Sequence, residues 1–408
     1  MSNALNVMNR NKLQLKDKVI IGCMLFSGFA SFLPDSVNTV ALYVVIPFAF
    51  LLSFFLDNRR FDNHTFRIFL ILFFWLVMST LWAAYFDLAM AQNKQLLGTV
   101  LVSYIVGKNA YNTKMIPWMY AIWIALYISV IYYAYSHIIP NITIGMQRLN
   151  DSKLNANMIG YYTFYLTFVI YILGEITQKP IVSLCFKFLF IGMLFVSYFA
   201  AYITASRQIL LIQVPLLLFL LYGRYMKKVR ARVKLIFLIL CVPIIFILKG
   251  LIMQTYDDSL LQRRNQIEIS EDSRALLAKD AFRVGMDHFF LGVGNGNYAK
   301  YSYSQDFSHN SYLELFANTG IIGLSIYLYL LISYLKVQCW RYKVTKDKMF
   351  LNFIIFFIIF CFYNIFYVFY PYPWLFAFFI LVSSHSDAYF KEIYYNRLEN
   401  EDRRTASS

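Results

Sequence analysis

The sequence is dominated by apolar runs, each about as long as a membrane is thick. A helix needs about 20 apolar residues to cross the hydrocarbon core of a bilayer. Such runs lie near residues 19–34, 38–56, 67–86, 96–107, 116–137, 157–174, 181–204, 208–222, 235–253, 315–335, 350–370 and 374–385. Backbone polar groups in lipid must find partners within their own segment, so each run is expected to be helical. The sequence therefore predicts an all-α, polytopic membrane protein with about 12 transmembrane helices.

The composition excludes a soluble chain. Of the 408 residues, 60% are hydrophobic and only 14% are charged, which is too apolar for a soluble multi-domain protein. The net charge of +15 could favour nucleic acid, but the basic residues are spread over many loop ends instead of one domain. We therefore expect attraction to anionic membrane lipid and no nucleic-acid partner.

The lysines and arginines also predict the orientation of the chain in the membrane. Short loops that are rich in these residues stay in the cytoplasm. With the N-terminus placed inside, most of the 37 fall in cytoplasmic segments, and the largest clusters lie at 224–234 and 336–348. Both termini are therefore expected to be cytoplasmic.

The runs divide the chain into four predicted parts. Residues 1–253 form a membrane domain with spans 1 to 9, and 315–385 contain spans 10 to 12. Between them, 254–314 form one long external loop with short helices, and 386–408 form a cytoplasmic tail. The long loop carries nine of the 22 carboxylates. Because nucleoside triphosphates are not available on that side, a reaction there needs a substrate that arrives already activated.

A helix is predicted in this loop over residues 270–290, with Ser270 as its N-cap and an end before Gly292. At about 100° per residue, Arg274 shares one face with Leu277, Ala278, Ala281, Gly285 and His288. That face is expected to dock against the membrane domain. Arg274 would then either snorkel to lipid headgroups or hold a phosphate with its guanidinium fork. Arg283 lies on the other side and is expected to be solvated.

His309 and Arg207 are further candidates on the same external side. His309 precedes a helix whose start is predicted from Ser311 and Glu314, which have capping-box spacing. The positive end of the helix dipole disfavours a charged imidazole there, so a neutral, proton-accepting His309 is expected. Arg207 lies at the outer edge between the seventh and eighth spans, where an ionisable group is a functional candidate. The alternatives are an ordinary surface histidine and another snorkelling arginine.

Glycines mark two further features. The string GVGNGNY at 292–298 invites a phosphate-loop interpretation, but it does not open a helix after a strand. A turn that allows close backbone approach explains it better. Gly320 and Gly323 are interpreted as close-packing positions in the following helix.

The histidines and cysteines show no spacing typical of a metal site. His64, His137 and His385 lie in separate loops or ends. The five cysteines sit in or beside spans and are interpreted as small core residues. Neither a metal nor a cofactor is expected.

Taken together, these residues resemble a known family. The pattern consists of Ser206-Arg207, the helix with Arg274, GVGNGNY, His309-Asn310, Gly320 after nine further residues and Gly323 after two more. It is similar to the signature of the O-antigen ligase and polymerase superfamily of bacterial membrane glycosyltransferases. The resemblance covers about residues 200–335 closely, and elsewhere it rests on hydropathy and span count.

The resemblance implies a metal-independent, inverting transfer of a glycan from an undecaprenyl-pyrophosphate carrier to an acceptor hydroxyl at the external face of the bacterial inner membrane. It implies that Arg207 and Arg274 hold the pyrophosphate as it leaves, and that His309 orients or deprotonates the acceptor. Two arginines suit such a leaving group because they neutralise developing charge where water is scarce. Further substrate contacts are expected from Asn310, from Gly294 and from Arg148 in the outside loop near 138–156.

Several functions stay open at this point. A polymerase would extend one lipid-linked chain with another repeat unit of O-antigen or capsule, and we favour it because polymerases with such signatures are numerous. A ligase would hand the finished chain to a lipid A core sugar. A transporter or flippase of lipid-linked glycan would be expected to show internal repeats and broken or charged helices at the midplane. Other polysaccharide-assembly membrane proteins are possible partners.

Overall fold

The computed structural model describes residues 13–57, 59–141, 154–204, 206, 209 and 273–407, and within these ranges no strand occurs. In chain order the helices are α1 (Leu15–Ala30), α2 (Asp35–Phe55), α3 (His64–Trp82), α4 (Phe86–Asn109), α5 (Ile116–Asn141), α6 (Ala156–Ile176), α7 (Pro180–Thr204), α8 (Ser273–Asp287), α9 (Tyr298–Tyr301), α10 (Ser311–Thr345), α11 (Lys348–Tyr363) and α12 (Pro373–Ser407). The all-α prediction is thus confirmed for the described part of the chain.

The helices support a polytopic membrane protein. Within the described ranges, six helices are long and apolar enough to cross a membrane, namely α2, α3, α5, α6, α7 and α10. The shorter α11 is also apolar. Ten of the predicted spans coincide with helices, whereas 208–222 and 235–253 lie outside the described residues. The total of about 12 transmembrane helices stays a prediction.

Two helices extend well beyond the spans predicted for them. The run at 96–107 is the second half of α4, which begins at Phe86, and the run at 374–385 is the first part of α12. Hydropathy detects only the apolar part of a helix, while the backbone hydrogen bonds continue through its polar end.

The described residues form two compact units. The first comprises the described parts of 1–28, 35–122 and 269–408, and the second those of 29–34 and 123–268. In the first unit, aromatic rings of α12 pack on α3 and α11, with centroid distances of 4.3 Å for Phe69 and Phe376 and 4.8 Å for Phe360 and Phe379. In the second unit, α6 packs against α7 and is almost entirely buried.

Candidate functional site

Gly320 breaks helix α10 into a short first part, 311–319, and a long second part, 321–345. Its φ of 66° and ψ of −166° are not helical and suit glycine alone. A Cβ at this position would collide with the backbone of Phe290. Sequence reasoning identified Gly320 as a close-packing position, which is confirmed, but it missed the break.

The segment GVGNGNY fills the gap that the break opens. The last carbonyl groups of a helix have no partners inside it. Here the N–H groups of Val293 and Gly294 donate to Ala317 O at 3.0 Å and Asn318 O at 2.8 Å. On the other side of the break, the Ile321 N–H donates to Phe289 O at 2.8 Å. The close backbone approach predicted for this string is therefore confirmed.

The three glycines of the string have the left-handed conformation that this path requires. Their φ values are 68°, 94° and 70° at Gly292, Gly294 and Gly296. A Cβ on Gly292 would collide with the backbone of Asn318, and one on Gly294 would lie 2.7 Å from Ala83 Cα. Gly294, predicted to contact substrate, is buried, and its N–H is committed to Asn318.

Helices α3 and α4 form the other wall of this region. The Trp82 indole donates to Leu291 O at 3.2 Å, and Ser79 Oγ accepts from the Asn295 N–H at 2.9 Å. Asn297 Oδ1 accepts from the Tyr85 N–H at 2.8 Å. Sequence reasoning did not connect these positions, because they lie more than 200 residues apart along the chain.

Helix α8 docks on the first part of α10. Ala281 and Val284 are buried, and Gly285 lies so close to the Phe316 ring that a Cβ would collide with it. The helix face that includes Arg274 was predicted to dock, and this is confirmed for its residues Ala281 and Gly285. His288 is exposed instead, because α8 ends at Asp287 and the helical face does not continue. The predicted cap, Ser270, lies outside the described residues.

Arg274 lies in the first turn of α8 and is half-buried. Ala281, seven residues further, belongs to the apolar cluster between α8 and α10. At 1.5 Å per residue, Arg274 is about 10 Å along the helix from that cluster. The docking of α8 therefore fixes the helix turn that carries this guanidinium.

Arg283 was expected to be solvated, and its side chain is 37% exposed, but it also has partners that the prediction missed. Its guanidinium pairs with Asp280 at 2.8 Å and Asp287 at 3.1 Å, donates to Tyr301 O at 3.1 Å and lies 4.3 Å from the centre of the Tyr303 ring. The hydrogen bonds to Asp280 raise the pKa of Arg283. These contacts connect α8 to the loop that leads to His309. The periodicity of α8 alone could not predict this connection.

His309 lies in a tight turn immediately before α10. Its φ is 56°, a left-handed conformation that is uncommon outside glycine. The half-buried ring lies 4.1 Å from the centre of the Phe307 ring and 6.3 Å from that of Tyr367. The Phe307 and Tyr367 rings are themselves 6.0 Å apart, so the imidazole packs in a cluster of three rings at the start of the helix.

The N-cap of α10 is Asn310, and this corrects the predicted capping box. Asn310 Oδ1 accepts from the N–H groups of Tyr312 at 3.0 Å and Leu313 at 3.1 Å. Ser311 is the first helical residue, and its hydroxyl donates to Tyr367 O at 2.8 Å and accepts from the Phe369 N–H at 2.9 Å. Asn and Ser are both good caps, so sequence alone placed the start one residue too late.

Glu314 holds the turn from inside the protein. The side chain is 7% exposed, and its Oε2 accepts from the Ser308 N–H at 2.7 Å. Ser308 Oγ in turn donates to Asn310 O at 2.9 Å. The residues on both sides of His309 are thus anchored, and Glu314 bonds to Ser308 instead of closing a capping box on Ser311.

The structure brings four of the sequence elements together in one unit: the helix with Arg274, the string 292–298, the His309 turn and the glycine pair Gly320 and Gly323. A Cβ on Gly323 would collide with the Thr319 side chain, which confirms close packing there too. Arg207 and Arg148 lie outside the described residues, so their places in the site stay predictions. Among the described residues, no cluster of three His, Cys, Asp or Glu side chains could hold a metal ion.

Comparison with known proteins identifies the region. No curated protein matches the chain significantly. Residues 191–328 match the family model described as O-antigen ligase, and this range contains every element of the motif from Arg207 to Gly323. The match supports an O-antigen ligase or polymerase type of function in a multi-pass membrane protein. It confirms the predicted resemblance: residues 191–328 are similar to the O-antigen ligase family.

Proposed function

We propose that the protein transfers a glycan from an undecaprenyl-pyrophosphate donor to the hydroxyl of an acceptor sugar at the external face of the bacterial inner membrane. The proposal is supported above all by the hydrogen-bonded turn around His309, which lies within the matched domain. The proposed orientation has both termini in the cytoplasm.

In the proposed reaction, the acceptor oxygen attacks the anomeric carbon of the donor while the bond from that carbon to the pyrophosphate oxygen breaks. Attack from the face opposite the leaving group inverts the anomeric centre. His309 takes the proton of the acceptor hydroxyl, and the undecaprenyl pyrophosphate leaves with the bonding electron pair. No metal and no cofactor takes part in this scheme.

The leaving group carries at least two negative charges, and we assign its stabilisation to Arg207 and Arg274. A guanidinium presents paired donors that match phosphate oxygens. Arg274 is half-buried in the first turn of the docked α8, so its position is constrained before substrate binds. For Arg207 the support is its place in the motif and in the matched range.

His309 suits the role of proton acceptor because it is preorganised. A general base must sit within hydrogen-bond reach of the proton that it removes. The positive φ and the flanking bonds of Ser308 hold the backbone, and Phe307 and Tyr367 hold the ring. Asn310 shapes this turn as the helix cap, and we propose that Arg148 contacts sugar units.

Two glycan transfers with different acceptors fit the proposed reaction. We favour the polymerase reaction, in which the acceptor is a second lipid-linked repeat unit of O-antigen or capsule. The description of the matched family as O-antigen ligase favours the second candidate, transfer to lipid A core. Both reactions use the same pyrophosphate donor, so they differ only in the acceptor.

The surface polysaccharide of a deletion strain tests the proposal. One repeat unit on the lipid core is the result expected for loss of a polymerase. Long carrier-linked chains with a bare core would indicate a ligase, and repeat units trapped inside would indicate a flippase and contradict a transferase. Complementation with His309→Ala should fail, whereas the matched control His288→Ala, which changes an exposed histidine of the same external region, should restore the wild-type pattern.

A further inference from the structure

A polar cavity of about 260 Å³ lies between α3, α10 and α12, far from the His309 turn. Its lining includes His64, Arg67, Gln338, Arg341, Asp387 and Lys391. From Ile321 to Arg341 the helix α10 rises about 30 Å, which is the thickness of a hydrocarbon core. The cavity therefore lies at the other end of α10 from His309, on the side predicted to be cytoplasmic.

Arg341 is the central cation of this cavity. It is 9% exposed and donates to Ser386 Oγ at 2.9 Å and to Asp387 Oδ1. Its buried Nε has no hydrogen-bond partner among the described residues, and the same holds for the buried hydroxyl of Tyr334, which also lines the cavity. Buried donors left without partners are costly. Both atoms have almost no accessible surface, so they do not face the cavity, which is lined by other atoms of Arg341 and Tyr334.

The carboxylates around the cavity are already paired with neighbouring side chains. Asp387 Oδ1 accepts from Arg341, and its Oδ2 accepts from Asn63 Nδ2 and the Tyr111 hydroxyl, each at 2.8 Å. Asp62 pairs with Arg67 at 3.2 Å. Burial and the neighbouring Asp387 raise the pKa of Tyr111, so that phenol stays protonated and remains a donor.

The remaining charge at the cavity is positive. Lys391 lies at the cavity mouth, with its ammonium 4.9 Å from the centre of the Tyr111 ring. Counting Arg67, Arg341 and Lys391 against Asp62 and Asp387 leaves one positive charge in excess, before any contribution from His64. An oxygen-rich anion would match this positive charge.

We propose that this cavity binds a phosphate group, carried by the headgroup of an anionic membrane phospholipid or by free phosphate. Basic pockets between transmembrane helices on the cytoplasmic side are suited to lipid phosphates. The site is separate from the glycan-transfer site and does not depend on the proposed function.

The test measures the melting temperature of the purified full chain in zwitterionic detergent. One arm adds phosphatidylglycerol against phosphatidylcholine, and another adds sodium phosphate against sodium chloride at equal ionic strength. The test variant is Arg67→Gln/Lys391→Gln, which changes two exposed rim residues and leaves the buried Arg341 network intact. The matched control is Lys336→Gln/Lys343→Gln, which removes two exposed charges on α10 that do not line the cavity.

We expect the test variant to need about tenfold more phosphatidylglycerol than the control for the same rise in melting temperature, since each basic residue near the phosphate adds to binding. A parallel response to sodium phosphate would support free phosphate as the source, and a response to the lipid alone would support the headgroup. Equal responses of the test and control variants, or no response of the wild type to either phosphate source, would overturn the proposal.

Discussion

Replacing Gly320 by alanine tests whether the break in α10 is built into the fold. A non-glycine residue in this backbone region costs about 1–3 kcal/mol. The new Cβ would also push away the Phe290 backbone and with it the bond from the Ile321 N–H to Phe289 O. A buried N–H left without a partner costs about 1–3 kcal/mol more. We therefore expect Gly320→Ala to destabilise the protein by about 2–6 kcal/mol.

The assay is thermal or denaturant unfolding of the purified protein, followed by tryptophan fluorescence. Trp75 and Trp82 report directly on the region, because their indoles donate to Thr319 O, just before the break, and to Leu291 O in the segment that packs into it. The matched control is Gly22→Ala in α1, where a Cβ meets nothing within 4 Å. That substitution should be neutral or stabilise by up to about 1 kcal/mol. If Gly320→Ala were as stable as Gly22→Ala, the proposed backbone docking would be refuted.

Three further predictions concern single side chains. Asn310→Ala should destabilise the protein by about 1 kcal/mol because the helix cap is lost, and Asn310→Asp should restore most of that stability. Unfolding measurements check this, and an Asp variant as unstable as the Ala variant would argue against capping. Arg274→Lys and Arg207→Lys should lose transfer despite the retained charge because the guanidinium fork is lost, and full activity in a transfer assay would favour snorkelling arginines. Burial alone would raise the pKa of Asp57, but its hydrogen bonds with Arg59 lower it below the usual value. The ionised Asp57 therefore stabilises the fold above the unfolded pKa of about 3.9, and this stabilisation is lost as pH falls through the folded pKa. The difference in free energy of unfolding between wild type and Asp57→Asn should accordingly become smaller in acid. A difference that does not change with pH would contradict this.

The features that follow from local pattern could be predicted from the sequence. The apolar runs predicted helices because crossing lipid requires an uninterrupted stretch of nonpolar residues. The 100° periodicity of α8 predicted that Ala281 and Gly285 face the protein, and both do. The motif from Arg207 to Gly323 predicted the family that residues 191–328 match.

The features that depend on contacts between distant segments could not be predicted. The conformation of Gly320 is set by the backbone of 289–294, which sequence periodicity does not place beside it. Tyr367 contacts the His309 ring from a loop after α11. Glu314 was in the right place for a capping box, but the turn before α10 brings Ser308 to its carboxylate. Each of these outcomes is decided by tertiary packing, which overrides the local signal.

The proposed reaction depends on His309, which removes the acceptor proton during glycan transfer. The most direct measurement is single-turnover transfer by purified protein in liposomes, with an undecaprenyl-pyrophosphate-linked glycan as donor. Release of the pyrophosphate carrier and extension of the acceptor are followed together for wild type, His309→Ala and the control His288→Ala. We expect His309→Ala to slow transfer by about 10²- to 10⁴-fold and the control to keep the wild-type rate. Transfer by folded His309→Ala at the wild-type rate would contradict this role of His309.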